Sequence, residues 1–600
     1  MTQYFSRRNL DFLLHEVFSV SELTRYPYFE AHDKETFAMV LDSVTQIADN
    51  HMYPYFRDVD RNQPELRDGK VTVHPQMKPF LRAMGEAGLI GAGFSFENGG
   101  QQLPELVNAC AGYILTAANN GMMYTALTSG AANLINTFGT LELKQQYVEK
   151  LLSGHWQGTM ALTEPQAGSS LSDITTTGEP QEDGSYLIRG QKVFISAGDH
   201  DAVDNVIHLM LVRIKGAPRG TKGISLFVVP KYRIEADGSL TDNDVTSTGL
   251  YHKMGQKGTP ALHLTMGERG DCRGWLVGEP NRGLSYMFQM MNEARIGVGM
   301  TGAAIASAAY YASLQYARER PQSRRLNEKN QLDSPQITII HHPDVKRMLL
   351  FQKAIVEGSL SLLMESARLS DLVHVSEGEE KENYSLLLDL LTPIAKTFPT
   401  EMGVRSVSEG MQVLGGYGYT EDFPLEQMYR DIRITTIYEG TTTIQSQDLL
   451  GRKMTIKGGK APQLLFQEIE KTLREADTHD ELKPYADLLR KELGRVQDVT
   501  MALLPYAQQG DFERFLMDAT LYMELFGIVT VAWQWLKQGV AARKAQLTQN
   551  PEGDEATFYE SKLHTMKYYF HYEVPKTKGL AARLKDTEVL TIASDREVVM

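Results

Sequence analysis

The sequence predicts a mostly helical α+β protein, and three observations lead to this prediction. Apolar residues recur at three- and four-residue spacing up to about residue 160, which is typical of amphipathic helices. Short β-branched and aromatic segments then follow one another from 160 to 282 with no helical pattern between them. The helical spacing returns at Gly283 and continues to about residue 580. A chain of 600 residues is too long for one core, so we expect several domains.

The predicted organisation is an N-terminal extension followed by four domains. The extension covers 1–40, and a helical domain covers 41–159. A middle antiparallel β-barrel domain covers 160–282 and a helix bundle covers 283–453. An additional C-terminal helical domain covers 454–600.

The extension begins MTQYFSRRNLDFLLHEVF, which is interpreted as an amphipathic helix of the mature protein. Acidic Asp11 and Glu16 follow Arg7 and Arg8 closely, and no small-residue cleavage site appears, so the pattern does not match a signal or transit peptide.

The β domain is predicted from a run of short segments bounded by Gly, Pro and Asp. Consecutive strands with no helix between them favour an antiparallel sheet or barrel over a parallel dinucleotide-binding sheet. The segments are SYLIRGQKVFISAG, NVIHLMLVRIKG, GISLFVVPKYRI, ALHLTMGE and RGWLVGEP.

The helix bundle is predicted from three long apolar patterns. The first, LSYMFQMMNEARIGVGMTGAAIASAAYYASLQYARER, is rich in Ala and Gly, which allow helices to approach closely. The stretch SEGEEKEN reads as a charged loop between the next two helices. In the C-terminal block, MELFGIVTVAWQWLKQ carries Trp533 and Trp535, for which core packing is favoured over membrane docking.

Charge and composition narrow the classes of function. The formal net charge of -14 argues against nucleic acid as a partner, because phosphate binding needs a basic face. Two cysteines, far apart in sequence, form no disulfide framework and no metal site of the CxxC kind, so we expect a reducing compartment, the cytoplasm. No apolar run approaches the roughly 18–20 residues that span a bilayer, so we expect no integral membrane segment.

One carboxylate, Glu439, lies between apolar residues and a glycine in TIYEGTTTIQ. Glutamate before glycine is common in surface turns, and that interpretation stays open from these residues alone.

Histidines show no metal-binding spacing and no GxSxG elbow occurs, so neither metal nor serine-hydrolase chemistry is supported. In two stretches, ALTEPQAGSS and QVLGGYGY, glycines lie next to hydroxyl or amide residues at the junction of two predicted secondary-structure elements. A third stretch, RERPQ, lies at the end of the long predicted helix. A helix C-cap alone would explain Gly415.

Taken together and in this order, these stretches resemble the acyl-CoA dehydrogenase family. ALTEPQAGSS resembles its TEPxAGSD loop, GQKVFISAG its GxKxWITNG strand, and MNEARIGVGMTGAA the start of its long helix. QVLGGYGYTEDFPLEQMYRDIRITTIYEGTTTIQ follows the family's last motif nearly throughout. The resemblance covers about 40–450. The extra C-terminal block resembles a longer subgroup that includes 3-(methylthio)propionyl-CoA dehydrogenase-like proteins.

The resemblance implies FAD-dependent α,β-dehydrogenation of an acyl-CoA thioester to a trans-2-enoyl-CoA, a step of fatty acid β-oxidation. Glu439 is then the base that removes the α-proton, while the β-hydrogen leaves as hydride to the flavin. A thioester α-proton is a weak acid, so this base needs a raised pKa. Apolar Ile437 and the neighbouring Tyr438 would desolvate the carboxylate, and Gly440 permits a tight backbone path.

The resemblance also implies positions for the cofactor and the substrate. It implies contacts with FAD for Leu162, Thr163, Gly168, Ser169, Phe194, Ser196, Arg320, Gln322, Gln412, Gly415, Gly416, Thr441 and Thr443. It implies contacts with the acyl-CoA for Ser169, Asn292, Arg295, Tyr438 and Gly440, with Asn292 and Arg295 facing the CoA portion.

The sequence departs from the family pattern at several positions. The tryptophan of the WIT strand is Phe194, and the aspartate of AGSD is Ser170. Asn292 replaces the aspartate of a CoA-contacting DxxR, and Pro343 replaces a common glutamine. Some members place their base on the long helix, where this chain has Ala294, so Glu439 is the candidate that remains.

Three functions stay open at this point. The first is a dehydrogenase that passes electrons to an electron-transfer flavoprotein, and the second is an oxidase that uses O₂. The third is a non-catalytic flavin- or acyl-CoA-binding protein, which an intact Glu439 disfavours. The extra C-terminal block leads us to expect a homodimer. The acyl chain length does not follow from the sequence.

Overall fold

A computed structural model describes residues 3–592 of the chain. Contacts divide these residues into two compact units, which are described separately. The sheet unit comprises 34–103 and 114–294, and the bundle unit comprises the first 33 residues, 104–113 and 295 onward. The long helices and the C-terminal block therefore belong to one unit.

The helices that precede the main sheet are short to medium in length. They are α1 (Arg7–Asp11), α2 (Lys34–Ile47), α3 (Phe56–Arg61), α4 (Met77–Glu86), α5 (Glu105–Asn119), α6 (Thr125–Phe138) and α7 (Leu141–Leu152). A two-stranded hairpin, β1 (Glu65–Arg67) and β2 (Lys70–Thr72), interrupts them.

The strands of the sheet unit run through the middle of the chain. They are β3 (Trp156–Ala161), β4 (Thr177–Pro180), β5 (Tyr186–Ser196), β6 (Asn205–Ile214), β7 (Ile224–Pro230), β8 (Tyr232–Ile234), β9 (Leu240–Asp242), β10 (Val245–Leu250), β11 (Ala261–Met266) and β12 (Arg273–Val277).

The main sheet has eight strands in the order β10-β11-β5-β12-β7-β6-β3, with β4 paired to both β5 and β6. Its strands β6 and β7 are buried along almost their whole length, which explains their continuous apolar sequences. The prediction of a central β region is confirmed. The prediction of a purely antiparallel sheet is wrong, because β3 pairs with β6 in parallel. Strand β4 joins β5 to β6 and so closes a ring with β12 and β7, while β10, β11 and β3 lie outside this ring. The central sheet is observed, and a complete barrel stays a prediction.

Most of the remaining helices are longer, and together they form most of the bundle unit. They are α8 (Gly283–Glu319), α9 (Pro343–Val375), α10 (Gly378–Leu414), α11 (Leu425–Ile432), α12 (Thr442–Asp448), α13 (Lys460–Asp477), α14 (Lys483–Gln508), α15 (Phe512–Leu516), α16 (Ala519–Gln549), α17 (Gly553–Tyr572) and α18 (Thr577–Leu584).

The predicted SEGEEKEN loop is mostly helix. Helix α10 begins at Gly378, so only Ser376 and Glu377 separate it from α9. Acidic Glu379 and Glu380 lie in the first turn of α10, where negative charge complements the helix dipole. The charge run therefore starts a helix instead of a loop.

The C-terminal block packs into the core of the bundle unit. The indole of Trp533 donates to the Thr472 hydroxyl at 2.9 Å, and that of Trp535 donates to the Ala354 carbonyl of α9 at 2.9 Å. Residues Phe512–Gln549 are long and apolar enough to cross a membrane, but 67 % of their most apolar window is buried within the protein. The predicted core packing of both tryptophans is confirmed.

Candidate active site

The segment that carries Glu439 has an unusual backbone. Glu439 has φ 53° and Gly440 has φ 90°, two consecutive residues in the left-handed region. For a residue other than glycine this conformation costs roughly 1–3 kcal/mol and is concentrated at functional sites. The Gln445 amide donates to the Glu439 carbonyl at 3.1 Å and helps to hold the turn. A Cβ at position 440 would lie 2.3 Å from that amide nitrogen, so this position requires glycine.

Helix α12 follows directly and fixes the end of the segment. Its N-cap is Thr441, whose hydroxyl accepts a hydrogen bond from the Ile444 amide at 3.4 Å. The Thr442 hydroxyl donates to the Glu401 carboxylate of α10 and also lies 3.3 Å from the Thr436 carbonyl. These bonds tie the Glu439 segment to α10.

Glu439 has the protonation behaviour of a general base. Its side chain is half-buried, and desolvation raises its pKa to about 7, although the positive charges of Arg295 and Lys396 oppose the rise. A base whose pKa lies near the working pH combines a useful fraction of the ionised form with a useful proton affinity. The surface-turn interpretation of this glutamate does not account for the desolvation.

Arg295 is one of the two cations beside Glu439. It is buried on α8, and its Nη1 lies 3.7 Å from Oδ2 of Asp448 at the end of α12. Burial lowers its pKa from the ordinary arginine value, and the negative charges of Asp448 and Glu439 oppose that effect. The predicted contact of Arg295 with CoA stays a prediction, whereas the structure places its charge where it acts on Glu439.

Lys396 is the other cation, and the sequence analysis missed it. It lies on α10 with no exposed surface, and its Nζ has no hydrogen-bond partner among residues 3–592. Burial lowers its pKa to about 8, while the carboxylates of Glu401 and Glu439 oppose the decrease. The available signal was a lone cation inside the apolar stretch LTPIAKTFP.

Small residues on α8 bring these groups together. A Cβ at Gly299 would lie 1.9 Å from the Ala395 carbonyl oxygen, and one at Gly302 would lie 2.9 Å from the Pro399 oxygen. Pro399 has no N–H to donate to the Ala395 carbonyl, which leaves that face of α10 open to close approach. The predicted role of Gly in helix packing is confirmed, and it sets Arg295 and Lys396 on neighbouring helices.

In the sheet unit, an ion pair anchors the loop that contains ALTEPQAGSS. Glu164 accepts from Lys192 at 2.8 Å and from the Thr175 amide at 2.6 Å, and all of these atoms are buried or partly buried. Burial alone would raise the pKa of Glu164, but Lys192 and these hydrogen bonds lower it to about 2. The Val193 amide donates to the Thr163 carbonyl at 2.9 Å, so the loop lies beside β5.

The surface formed there fits a flat aromatic cofactor. Phe194 has φ 59°, and its ring is 61 % exposed and stacked on Tyr251 with centroids 4.3 Å apart. Leu162 is buried, Thr163 and Ser196 are half-buried, and Gly168 and Ser169 are exposed. An exposed aromatic face held in a strained conformation beside hydroxyls fits the isoalloxazine ring of FAD.

Other predicted site residues lie at the ends of helices in the bundle unit. Gly415, with φ 59°, is the C-cap of α10, as a helix terminus alone would require. The backbone of Gln322 pairs with Ile337 at 2.9 Å. The side chains or backbones predicted to reach the FAD phosphates or adenosine are mostly exposed; these are Arg320, Gln322, Gln412, Gly415, Gly416 and Thr443. Their contacts with FAD stay predictions.

Two residues at the start of α8 belong to the sheet unit. Asn292 is half-buried, and its predicted contact with CoA stays a prediction. Glu293 is exposed, and its carboxylate accepts from the Asn133 amide at 3.1 Å. This acid is more exposed than Glu439.

Four family models match the chain in order. They are the acyl-CoA dehydrogenase N-terminal domain over residues 34–155, the middle domain over 159–268, the C-terminal domain over 281–454 and an acetyl-CoA dehydrogenase C-terminal-like domain over 465–595.

Similar proteins match over nearly the whole chain. A 3-methylmercaptopropionyl-CoA dehydrogenase of Ruegeria pomeroyi is 34 % identical over 95 % of this chain and 97 % of its own. The crystal structure of Caenorhabditis elegans ACDH-11 in complex with C11-CoA matches with a TM-score of 0.74 and 21 % identity, covering 96 % of each chain. A Bacillus anthracis acyl-CoA dehydrogenase complexed with FAD matches with a TM-score of 0.71 and 20 % identity, covering 96 % of this chain and 91 % of that one.

The domain matches, the long relative and the residues around Glu439 agree with one another. This chain therefore belongs to the acyl-CoA dehydrogenase family and is an oxidoreductase whose cofactor is FAD.

Proposed function

We propose that the protein converts an acyl-CoA thioester to a trans-2-enoyl-CoA, with Glu439 as the base that removes the α-proton. The observation that carries the proposal is the Glu439 carboxylate itself. It is held in a strained turn, partly desolvated and placed beside two buried cations, and its pKa is raised to about 7. These are the properties that removal of a weakly acidic proton requires.

The chain's own residues prepare this step. The Thr441 cap and the bond from Thr442 to Glu401 fix the direction of the Glu439 segment. Arg295 and Lys396 keep part of the Glu439 population ionised despite its burial. FAD, when bound, supplies the acceptor for the β-hydride.

The predicted FAD contacts are kept as proposals within each unit taken by itself. In the sheet unit, the exposed ring of Phe194 and the anchored loop from Leu162 to Ser169 support a place for the flavin ring. In the bundle unit, exposed Arg320 and the open glycines Gly415 and Gly416 support places for its phosphates and adenosine. Thr441 uses its hydroxyl as a helix cap, which leaves Thr443 as the more available of the two threonines.

The proposed substrate is an acyl-CoA of undetermined chain length. The Ruegeria relative is named for 3-methylmercaptopropionyl-CoA, and the Caenorhabditis structure contains C11-CoA. These two names differ widely in acyl group, so they support the CoA thioester and leave its chain open. Ser169, Asn292, Tyr438 and Gly440 remain the proposed substrate contacts.

The proposal extends to partners and location. Electrons are passed to an electron-transfer flavoprotein, and two chains form a homodimer in the cytoplasm. The C-terminal block supports the dimer, since Trp535 and Gln534 bond to Ala354 and Ser361 and thereby cover one face of α9. The buried, unpaired Cys110 and Cys272 are consistent with a reducing compartment.

The test is anaerobic mixing of the flavin-loaded protein with a panel of acyl-CoAs while the flavin absorbance is recorded. We expect bleaching in the wild type, none in Glu439→Gln, and unchanged bleaching in the control Glu293→Gln, an exposed acid. Peroxide release in air would indicate an oxidase, and bleaching that persists in Glu439→Gln would place the base elsewhere. A protein that never binds FAD would contradict the proposal altogether.

A further inference from the structure

Among residues 3–592, the buried lysines have hydrogen-bonding or ionic partners, with one exception. Lys192 bonds to Glu164 and to the Leu162 carbonyl at 3.0 Å, and Lys562 bonds to Asn9, Glu357 and Gln538. The Nζ of Lys396 has no such partner among the described residues. A buried charge without hydrogen bonds is costly, so its presence calls for a role other than packing.

The charged groups around Lys396 belong to the Glu439 site. The carboxylates of Glu401, on the same helix, and of Glu439 attract its ammonium group, and the guanidinium of Arg295 on α8 repels it. Glu439 in turn responds to Arg295 and Lys396. Arg295 is also influenced by groups from α10 and the residues around the end of α12, namely Asp448, Arg452 and Asp389.

The two cations beside Glu439 differ in how much of their charge is offset by another carboxylate. Arg295 lies 3.7 Å from Asp448, so part of its charge is offset there. Glu401 accepts the hydroxyl proton of Thr442, which links the same carboxylate to the turn that carries the base. Lys396 is therefore left to act on Glu401 and Glu439 from inside the protein, where water screens the interaction little.

We propose that Lys396 is a positioning residue for the reaction: its buried ammonium group keeps the Glu439 carboxylate ionised and directed, through Glu401. This inference rests on the proposed function, in which Glu439 is the base. The missing hydrogen bonds of Lys396 leave its charge available to the reacting carboxylate.

The test compares Lys396→Met, which removes the charge, with Lys396→Arg, which retains it. The control is Lys381→Met, an exposed lysine on the same helix α10. One readout is kcat/KM against pH, which reports the ionisation of the free enzyme. A second readout, independent of turnover, is the carboxylate infrared band that disappears in Glu439→Gln, followed by titration. Thermal unfolding at pH 7 is the third.

We expect the acidic limb of kcat/KM and the titration of the infrared band to move up together in Lys396→Met. The shift should be about one pH unit or more, since removal of a nearby cation has effects of that size. Activity at pH 7 would fall about tenfold, Lys396→Arg would restore most of it, and Lys381→Met would behave as the wild type. Tm should not fall in Lys396→Met, because a buried charge without hydrogen bonds is lost.

Failure of this inference is distinguishable from failure of the proposed function. If Glu439→Gln abolishes bleaching but the limb and the band do not move in Lys396→Met, Lys396 is not a positioning residue and the base assignment stands. A lower Tm in both Lys396 variants with no titration shift would make Lys396 structural and overturn the inference. Bleaching that persists in Glu439→Gln would overturn both. If Lys396→Met does not fold, Lys396→Gln makes the same comparison.

Discussion

Lys562 and Lys396 are both fully buried in the bundle unit, and burial lowers the pKa of each to about 8. Lys562 lies on α17 and bonds to Glu357 of α9 at 2.8 Å, to Gln538 of α16 at 3.1 Å and to Asn9 of α1. It joins four helices, among them α1 and α9, which are far from α17 in sequence. Within residues 3–592, Lys396 has no hydrogen bond of this kind.

The difference separates a structural charge from a functional one. Each side-chain oxygen that accepts a hydrogen bond from Lys562 is thereby satisfied. The resulting network holds the N-terminal segment and the C-terminal block against α9. Around Lys396, the ammonium group has no hydrogen-bond partner among the described residues and interacts with the carboxylates of Glu401 and Glu439 through charge alone. Burial and a lowered pKa are the same in both places, and hydrogen bonding distinguishes them.

The largest expected effect is on stability, from Lys562→Met. This change leaves Glu357 buried with only Lys353, at 2.8 Å, as a counter-charge, so we expect a loss of about 3–5 kcal/mol in the free energy of unfolding. Lys396→Met should leave the free energy of unfolding unchanged or raise it. Denaturant unfolding followed by tryptophan fluorescence measures both. The double variant Lys562→Met/Glu357→Leu should recover part of the loss. Equal losses of stability in the two single lysine variants would contradict the distinction between a structural and a functional buried lysine.

A smaller effect is expected where α8 approaches α10. In Gly299→Ala the added Cβ would lie 1.9 Å from the Ala395 carbonyl oxygen, so one helix must move. We expect a loss of about 1–3 kcal/mol in stability, and a lower rate of flavin reduction because Arg295 and Lys396 lie on the displaced helices. Stability is read from Tm and the rate from stopped-flow absorbance.

The matched control is Gly297→Ala on the same helix. A Cβ there meets no atom within 4 Å, and alanine is favoured over glycine in a helix by roughly 0.5–1 kcal/mol. This variant should be neutral or slightly more stable. A Gly299→Ala protein with wild-type rate and Tm would show that close packing at this position does not support the site.

The sequence allowed the helix–strand–helix order to be predicted and singled out Glu439, because both depend on local patterns. The β region was predicted to begin at about 160, whereas β3 begins at Trp156. The parallel pairing of β3 with β6 could not be predicted, since pairing is a long-range contact. The β1–β2 hairpin was missed, although Asp68-Gly69, both at positive φ, is a recognised hairpin signal.

The candidate site shows the same limit. Glu439 and Phe194 stand in recognisable motifs, whereas Arg295 and Lys396 act on Glu439 only through the packing of α8 and α10. A lysine in a helix reads as a solvated residue until the neighbours that bury it are known. The electrostatics of the site therefore required the structure.

The smallest expected effect is the pH dependence of stability, which should have opposite signs at two glutamates. In the folded protein the pKa of Glu439 is raised to about 7 from 4.5. Above pH 4.5 the carboxyl therefore ionises more readily in the unfolded state than in the folded state. As a result, this group lowers the free energy of unfolding progressively as the pH rises from 4.5 to about 7. Glu439→Gln should accordingly be more stable than the wild type at pH 8, by about 1–3 kcal/mol, with no gain at pH 4. For Glu164, whose pKa is lowered to about 2, the stabilisation is present above pH 4.5 and is lost as the pH falls toward 2, so Glu164→Gln should cost stability at pH 8 and progressively less in acid. Unfolding free energies of the three proteins at several pH values measure both differences. Parallel curves for Glu439→Gln and the wild type would mean that the Glu439 carboxyl is not desolvated, and the comparison between an uncompensated site and a satisfied core would then lose its basis.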